Sequence, residues 1–123
     1  MAAPNLIGAT TINGKTAGAN LTSNTATTVL NNPASSGKCL KINTLNVSNY
    51  NSAAAMVSVA FFTAANSTGT PHQIVGGVVV PGNATLNVID KTSQYYLEEN
   101  SSLSAIANTA NYLSVTVSYE DIS

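Results

Sequence analysis

The sequence contains no arginine and no tryptophan, one cysteine (Cys39) and one histidine (His72). A lone cysteine excludes an intrachain disulfide and a multi-cysteine zinc site, and reads as a small buried hydrophobe within a strand. A lone histidine has no second imidazole with which to hold a transition metal, and no loop gathers the acidic oxygens that calcium requires. Without arginine or a basic run, binding to a phosphate backbone has no electrostatic source, so no nucleic acid partner is expected. Charged residues make up only 7 % of the chain, with a net charge of -1, where about 25 % is usual for a soluble domain. Long apolar runs are missing too. Residues 57–62 and 78–80 fall far short of the roughly 20 needed to cross a bilayer, so no membrane partner is expected. The first five residues, Met1-Ala2-Ala3-Pro4-Asn5, have neither the basic start nor the apolar stretch of a secretory signal, which predicts a soluble product made and used without export through the usual route.

What is abundant is neutral and polar: sixteen asparagines, fourteen serines and fifteen threonines. Few charges mean little self-repulsion and little desolvation cost when surfaces meet, and interface cores are poor in Lys, Glu and Asp for that reason. Asn-x-Ser/Thr triplets start at Asn20, Asn46, Asn66, Asn83 and Asn100. At this composition chance alone gives about four, so they carry no argument for glycosylation.

Turn formers divide the chain at short intervals, among them Asn31-Asn32-Pro33, Ser67-Thr68-Gly69-Thr70-Pro71, Pro81-Gly82-Asn83 and Glu99-Asn100-Ser101. Between them lie runs of β-branched and aromatic residues. Leu113, Val115, Val117 and Tyr119 alternate with Ser114, Thr116 and Ser118, a period of two that predicts a half-buried antiparallel strand. Ala84, Leu86 and Val88 alternate in the same way. Around 56–62 the pattern predicts a strand covered on both sides toward its end. In 38–49 the apolar phase changes between Leu40/Ile42 and Leu45/Val47, the mark of a β-bulge. Residues 27–30, 74–80 and 103–107 complete the set, and Gly76-Gly77 predicts a bend or a close backbone approach. No segment keeps a helical period over three turns. About eight short strands predict one all-β domain, an antiparallel β-sandwich or small barrel with the jelly roll among its forms. Residues 21–123 form that domain. Residues 1–20, with Leu6, Ile7 and Ile12 among small polar neighbours, read either as an extended arm that adds to a neighbour's sheet or as a first strand at the sheet edge.

The chemistry available is sparse. The acids are Asp90, Glu98, Glu99, Glu120 and Asp121. Adjacent strand residues point to opposite faces, so neither Glu98-Glu99 nor Glu120-Asp121 converges on one bond as a carboxylate pair would. No nucleophile elbow and no glycine-rich phosphate loop is present. The sequence predicts no enzyme, no cofactor and no metal. Tyrosines are the one functional-looking type: Tyr50 between Asn49 and Asn51, and the Tyr95-Tyr96 pair, could serve as aromatic platforms for a sugar, or cover a sheet edge or interface.

Three segments, Lys41-Ile42-Asn43-Thr44-Leu45-Asn46-Val47-Ser48-Asn49, Tyr96-Leu97-Glu98-Glu99-Asn100-Ser101-Ser102-Leu103 and Val117-Ser118-Tyr119-Glu120-Asp121-Ile122, occur in an order and spacing that resemble small β-sandwich virion proteins of tailed bacteriophages, notably marine and cyanobacterial phages. The resemblance covers most of 38–123. In that family the middle motif reads Tyr-Leu-Glu-Glu-Gly-Asp-x-Leu; here Asn100-Ser101 replace Gly-Asp, a departure that still permits a turn because Asn tolerates left-handed backbone. The resemblance implies a non-enzymatic structural component of the virion. The expectation drawn from it is a capsid decoration or cement protein on the outer surface of the head, bound to the major capsid protein or other virion proteins as a homo-oligomer, for instance a trimer. A tail, neck or fibre subunit is the alternative in the same class, and a carbohydrate-binding module the alternative outside it. The expected contact residues are Asn5, Leu6, Ile7 and Ile12 in the arm, with Tyr50.

Overall fold

The structure is a computed structural model that describes residues 5–123. A single 3-10 turn, Leu6–Gly8, leads into nine strands: β1 (Ile12–Asn20), β2 (Thr27–Asn32), β3 (Cys39–Asn49), β4 (Ala55–Ala64), β5 (Thr68–Val80), β6 (Thr85–Ile89), β7 (Tyr95–Leu97), β8 (Ser101–Ala107) and β9 (Leu113–Ile122). They form two sheets packed face to face. One runs β1-β9-β3-β6, with β7 also on β3; the other runs β2-β8-β4-β5. All pairings are antiparallel. The pairs nest: β4 with β5, β3 with β6 and β7, β2 with β8, and β1 with β9. That is a long hairpin rolled up on itself, the topology of a jelly roll.

The alternating residues of the sequence meet between the sheets. Leu45, Val47, Leu113, Val115 and Val117 from one sheet are fully buried, as are Val57, Val59, Leu103, Ala105 and Ala107 from the other. Each large side chain sealed in this way stabilises the fold by roughly 1.5–3 kcal/mol. Leu21, just past β1, and Ile89 close the core.

The phase change in 38–49 is a bulge. The register between β3 and β9 shifts between Ile42 and Thr44, leaving Asn43 as the extra residue. The Gly76-Gly77 pair is likewise a bend rather than a close approach. The register of β4 on β5 shifts between Val57 and Val59, and Gly77 takes φ 68° while its N–H donates to Ser58 Oγ at 2.9 Å. Glycine is needed for proximity at Gly82, where a Cβ would stand 2.1 Å from the Ser52 carbonyl oxygen. Asn66, Asn83, Asn100 and Asn111 all adopt positive φ, so asparagine fills turn positions that glycine commonly fills. The turn at Asn100-Ser101 is one of them.

Two features depart from the sequence reading. β7 is a three-residue strand pairing Tyr95–Leu97 with Leu40–Ile42, and brings the total to nine. β5 begins at Thr68, within the segment Ser67-Thr68-Gly69-Thr70-Pro71 that turn residues mark as a loop. Pro71 is tolerated because β5 lies at the sheet edge, where a missing N–H leaves no ladder bond unmade. Residues 12–20 form an edge strand on β9 in unbroken register, the second of the two readings for the N-terminal segment. Residues 1–4 of that segment lie outside the described residues.

Two buried asparagines clip the sheets together at opposite ends. Asn32 of β2 donates to the Leu97 and Lys38 carbonyls at 2.9 and 3.0 Å. Asn49 of β3 donates to the Val80 and Ala53 carbonyls at 3.0 and 2.8 Å. Among the described residues no buried side-chain nitrogen or oxygen lacks a partner.

Candidate interaction surfaces

The apolar residues of the N-terminal segment are on the outside. Asn5 caps the 3-10 turn, its Oδ1 accepting from the Ile7 N–H at 3.1 Å, which holds Leu6 and Ile7 outward. Ile7 is 96 % exposed, Ile12 61 % and Leu6 40 %. The segment does not project as a free arm. The N–H groups of Thr10 and Thr11 both donate to the Ser123 carbonyl, at 2.8 and 2.9 Å, and the Ser123 N–H returns a bond to Thr11. Asn5 and Leu6 line a shallow cleft with Lys38, Cys39, Glu99 and Ile122. The result is an apolar knob set at one end of the sandwich.

Tyr50, 53 % exposed, lies at the other end. It follows the last residue of β3, whereas the knob lies beside the first. Ten residue steps at roughly 3.3 Å place the two some 33 Å apart, so they cannot belong to one small contact. The neighbours of Tyr50 are already engaged. Asn49 is buried with its amide on two carbonyls, its Oδ1 accepts from Asn51 N–H at 2.9 Å, and Asn51 Oδ1 accepts from Ala53 N–H at 3.0 Å. The Asn49 side chain is not free to meet sugar hydroxyls and Asn51 keeps only its Nδ2 for them, which weakens the platform expected there. Tyr95 and Tyr96, both exposed, instead flank an apolar cleft of about 90 Å³ between the sheet edges, lined by Ile42, Phe61, Ile74, Leu97 and Leu103. His72 stacks on Phe61 beside it, ring centroids 6.0 Å apart.

The few charges are mostly spent within the molecule. Asp121 is buried at the end of β9, and its Oδ2 lies 3.2 Å from both Lys15 Nζ and Lys38 Nζ. Burial alone would raise its carboxyl; hydrogen bonds and charge from Lys38 and Lys15 outweigh that and hold it below the usual carboxylate range. Lys41 pairs with Glu120 at 3.6 Å, and Glu120 also accepts from Asn43 Nδ2 at 3.2 Å. Glu99 accepts from the Gly37 N–H at 2.6 Å. Three of the four lysines are therefore engaged in ion pairs, two of them sharing Asp121.

What remains on the outer face of the β1-β9-β3-β6 sheet is nearly all hydroxyl and amide. Register places Asn20, Ser114, Ser48 and Thr85 in one row, Gly18, Thr116, Asn46 and Asn87 in the next, and Thr16, Ser118 and Thr44 in a third. The other sheet's outer face is covered in part by the β4–β5 turn. There Ser67 N–H donates to Ser102 Oγ at 2.9 Å, Ser67 Oγ bonds Ser104 Oγ, and Asn66 N–H donates to Asn31 Oδ1 at 2.7 Å. This cover explains why Ser102 and Ser104 are buried on a face that alternation alone would leave wet.

Cys39 sits in β3 with its thiol pushed up by burial and by the charge of Glu98, while His72 belongs to β5 in the other sheet. Among the described residues no three His, Cys, Asp or Glu side chains meet as a metal site, and no helix is long and apolar enough to cross a membrane. No protein-family model and no curated protein matches the chain.

Proposed function

We propose that this chain is a non-enzymatic structural protein of a phage virion, a capsid decoration or cement subunit on the outer surface of the head. The observation that carries the reading is the surface itself. It presents neutral hydroxyl and amide rows, has few unpaired charges, and bears an exposed apolar knob of Leu6 and Ile7 beside Ile12. Such a surface costs little to desolvate on several sides at once. The resemblance of most of 38–123 to virion β-sandwiches supports the same reading.

The action is thermodynamic and involves no cofactor. A subunit that binds the assembled shell of major capsid protein, and not its dissociated subunits, stabilises the shell by mass action. Repeated weak contacts over many symmetric copies add through avidity. Attachment through neutral groups is insensitive to salt, because screening acts on charge. The test is occupancy on purified heads at about 0.05 and 1 M salt, with Ile7→Ser as the variant. Equal occupancy at both salts and at least a tenfold loss for Ile7→Ser are expected, with an unchanged fold because Ile7 buries almost nothing. Shedding at high salt, or full occupancy by the variant, would overturn the reading.

The Tyr95–Tyr96 cleft favours one alternative, a carbohydrate-binding module. Glycan-array binding lost in Tyr96→Ala, with no attachment to heads, would select it.

A further inference from the structure

We propose that β1 is the edge through which two copies of this chain join, pairing antiparallel about a two-fold axis at Thr16. The inference does not depend on the virion reading. On either side of β1, Thr11 exchanges backbone bonds with Ser123, and the Leu21 N–H donates to the Leu113 carbonyl. Antiparallel ladders alternate, so odd-numbered positions bond to β9, and the N–H and C=O groups of Ile12, Gly14, Thr16, Gly18 and Asn20 point outward along the free edge.

That edge is the least blunted, with Lys15 its single device. β1 holds nine residues in unbroken register, without proline or bulge. The edge of β5 carries Pro71 and three register shifts. β2 has six residues and one shift, and β6 and β7 are five and three residues long. Natural sheets block edges with just such devices, and a long regular edge with a single charge and neither proline nor bulge is a template for another strand.

The occupant follows from register and charge. For a second copy of β1, outward groups meet outward groups only when the paired residue numbers have an even sum. Centring on Thr16 is the one such register that engages all nine residues, pairing Ile12 with Asn20 and Gly14 with Gly18 of the other copy. Lys15, the sole charge on the strand, then faces Ala17 and not its own counterpart. Centring on Lys15 would set like charges directly opposite, which is unfavourable. The joined sheets continue the neutral outer row of Thr16, Ser118 and Thr44 across the axis. The symmetry of this join is two-fold.

Sedimentation velocity of the full chain from about 1 µM to 1 mM tests the inference, with Thr16→Lys as the variant. Thr16 is exposed, so the substitution leaves the fold intact while setting two ammoniums against each other. The expected result is a concentration-dependent dimer for the parent chain and at least tenfold weaker dimerisation for T16K. In a Cys39→Ser background, Thr16→Cys should form an intermolecular disulfide, because hydrogen-bonded partners lie about 5.5 Å apart between Cα atoms. Gly18→Cys, which faces Gly14 of the other copy, should not. A parent chain monomeric throughout, a dimer untouched by T16K, or equal crosslinking at 16 and 18 would each overturn the proposal. None of these outcomes bears on attachment to a capsid.

Discussion

Replacing Asn49 by Ala should cost about 2–4 kcal/mol, a large part of the roughly 5–15 kcal/mol that holds a domain of this size together. Its amide bridges the sheets, donating at 3.0 Å to the Val80 carbonyl across the sandwich and at 2.8 Å to Ala53. Its Oδ1 accepts from Asn51 N–H at 2.9 Å. Alanine takes one of the bonds from the buried Val80 carbonyl, which keeps its ladder pairing with Ala55, at about 0.5–1.5 kcal/mol. The two partners nearer the surface regain water and add less, while the small cavity adds again. Equilibrium urea unfolding measures the loss. With a slope of about 1–3 kcal/mol/M, the midpoint should fall by on the order of 1–2 M. Asn51→Ala is the control, since it removes only the exposed bond to Ala53 N–H, and should cost under about 1 kcal/mol. Asn32→Ala, which breaks the clip at the other end, should match Asn49→Ala, and the double variant should show additive losses because the two sites share no partner. An Asn49→Ala midpoint within error of the parent, or a control equally unstable, would refute the assignment of the clip.

Two further outcomes follow from single residues. Asp121 has its carboxyl held below its ordinary value by Lys15 and Lys38, so its contribution is complete above the unfolded pKa of about 4 and is lost as pH falls through the lower folded value. Both lysines are nearly half exposed, which limits the effect to about 1 kcal/mol; urea unfolding at pH 7 and pH 3 should show it, and Asp121→Asn should flatten that part of the pH dependence. Gly82→Ala forces a Cβ against the Ser52 carbonyl and should lower stability by about 1–3 kcal/mol through displacement of the β3–β4 loop, whereas Gly14→Ala, with open space around it, should keep stability within about 1 kcal/mol.

Much of the sandwich is legible in the sequence because alternation is a local signal. Leu113 to Val117 read as a strand from their own spacing, and the bulge at Asn43 shows as a phase change because a one-residue insertion reverses which side chains face inward. Asn100 reads as a turn for an equally local reason, its tolerance of positive φ. The strand β7 does not show, since Tyr95–Leu97 is too short to display a period and exists only because β3 offers a vacant edge. Thr68 to Pro71 mislead because their turn chemistry is overridden by pairing with β4. The clips at Asn32 and Asn49 join residues 65 and 31 positions apart, so no local pattern reveals them. The same holds for the surfaces. That Leu6, Ile7 and Ile12 are apolar is plain in the sequence; that the segment folds back onto Ser123, far from Tyr50, is a property of the roll.

The copy number of this chain in purified particles tests the proposed role as a structural subunit of a virion. Quantitative mass spectrometry against the major capsid protein should find a fixed ratio corresponding to many copies per head, retained through washing at about 1 M salt. A handful of copies would place it in the tail or neck, and absence from washed particles would contradict the account.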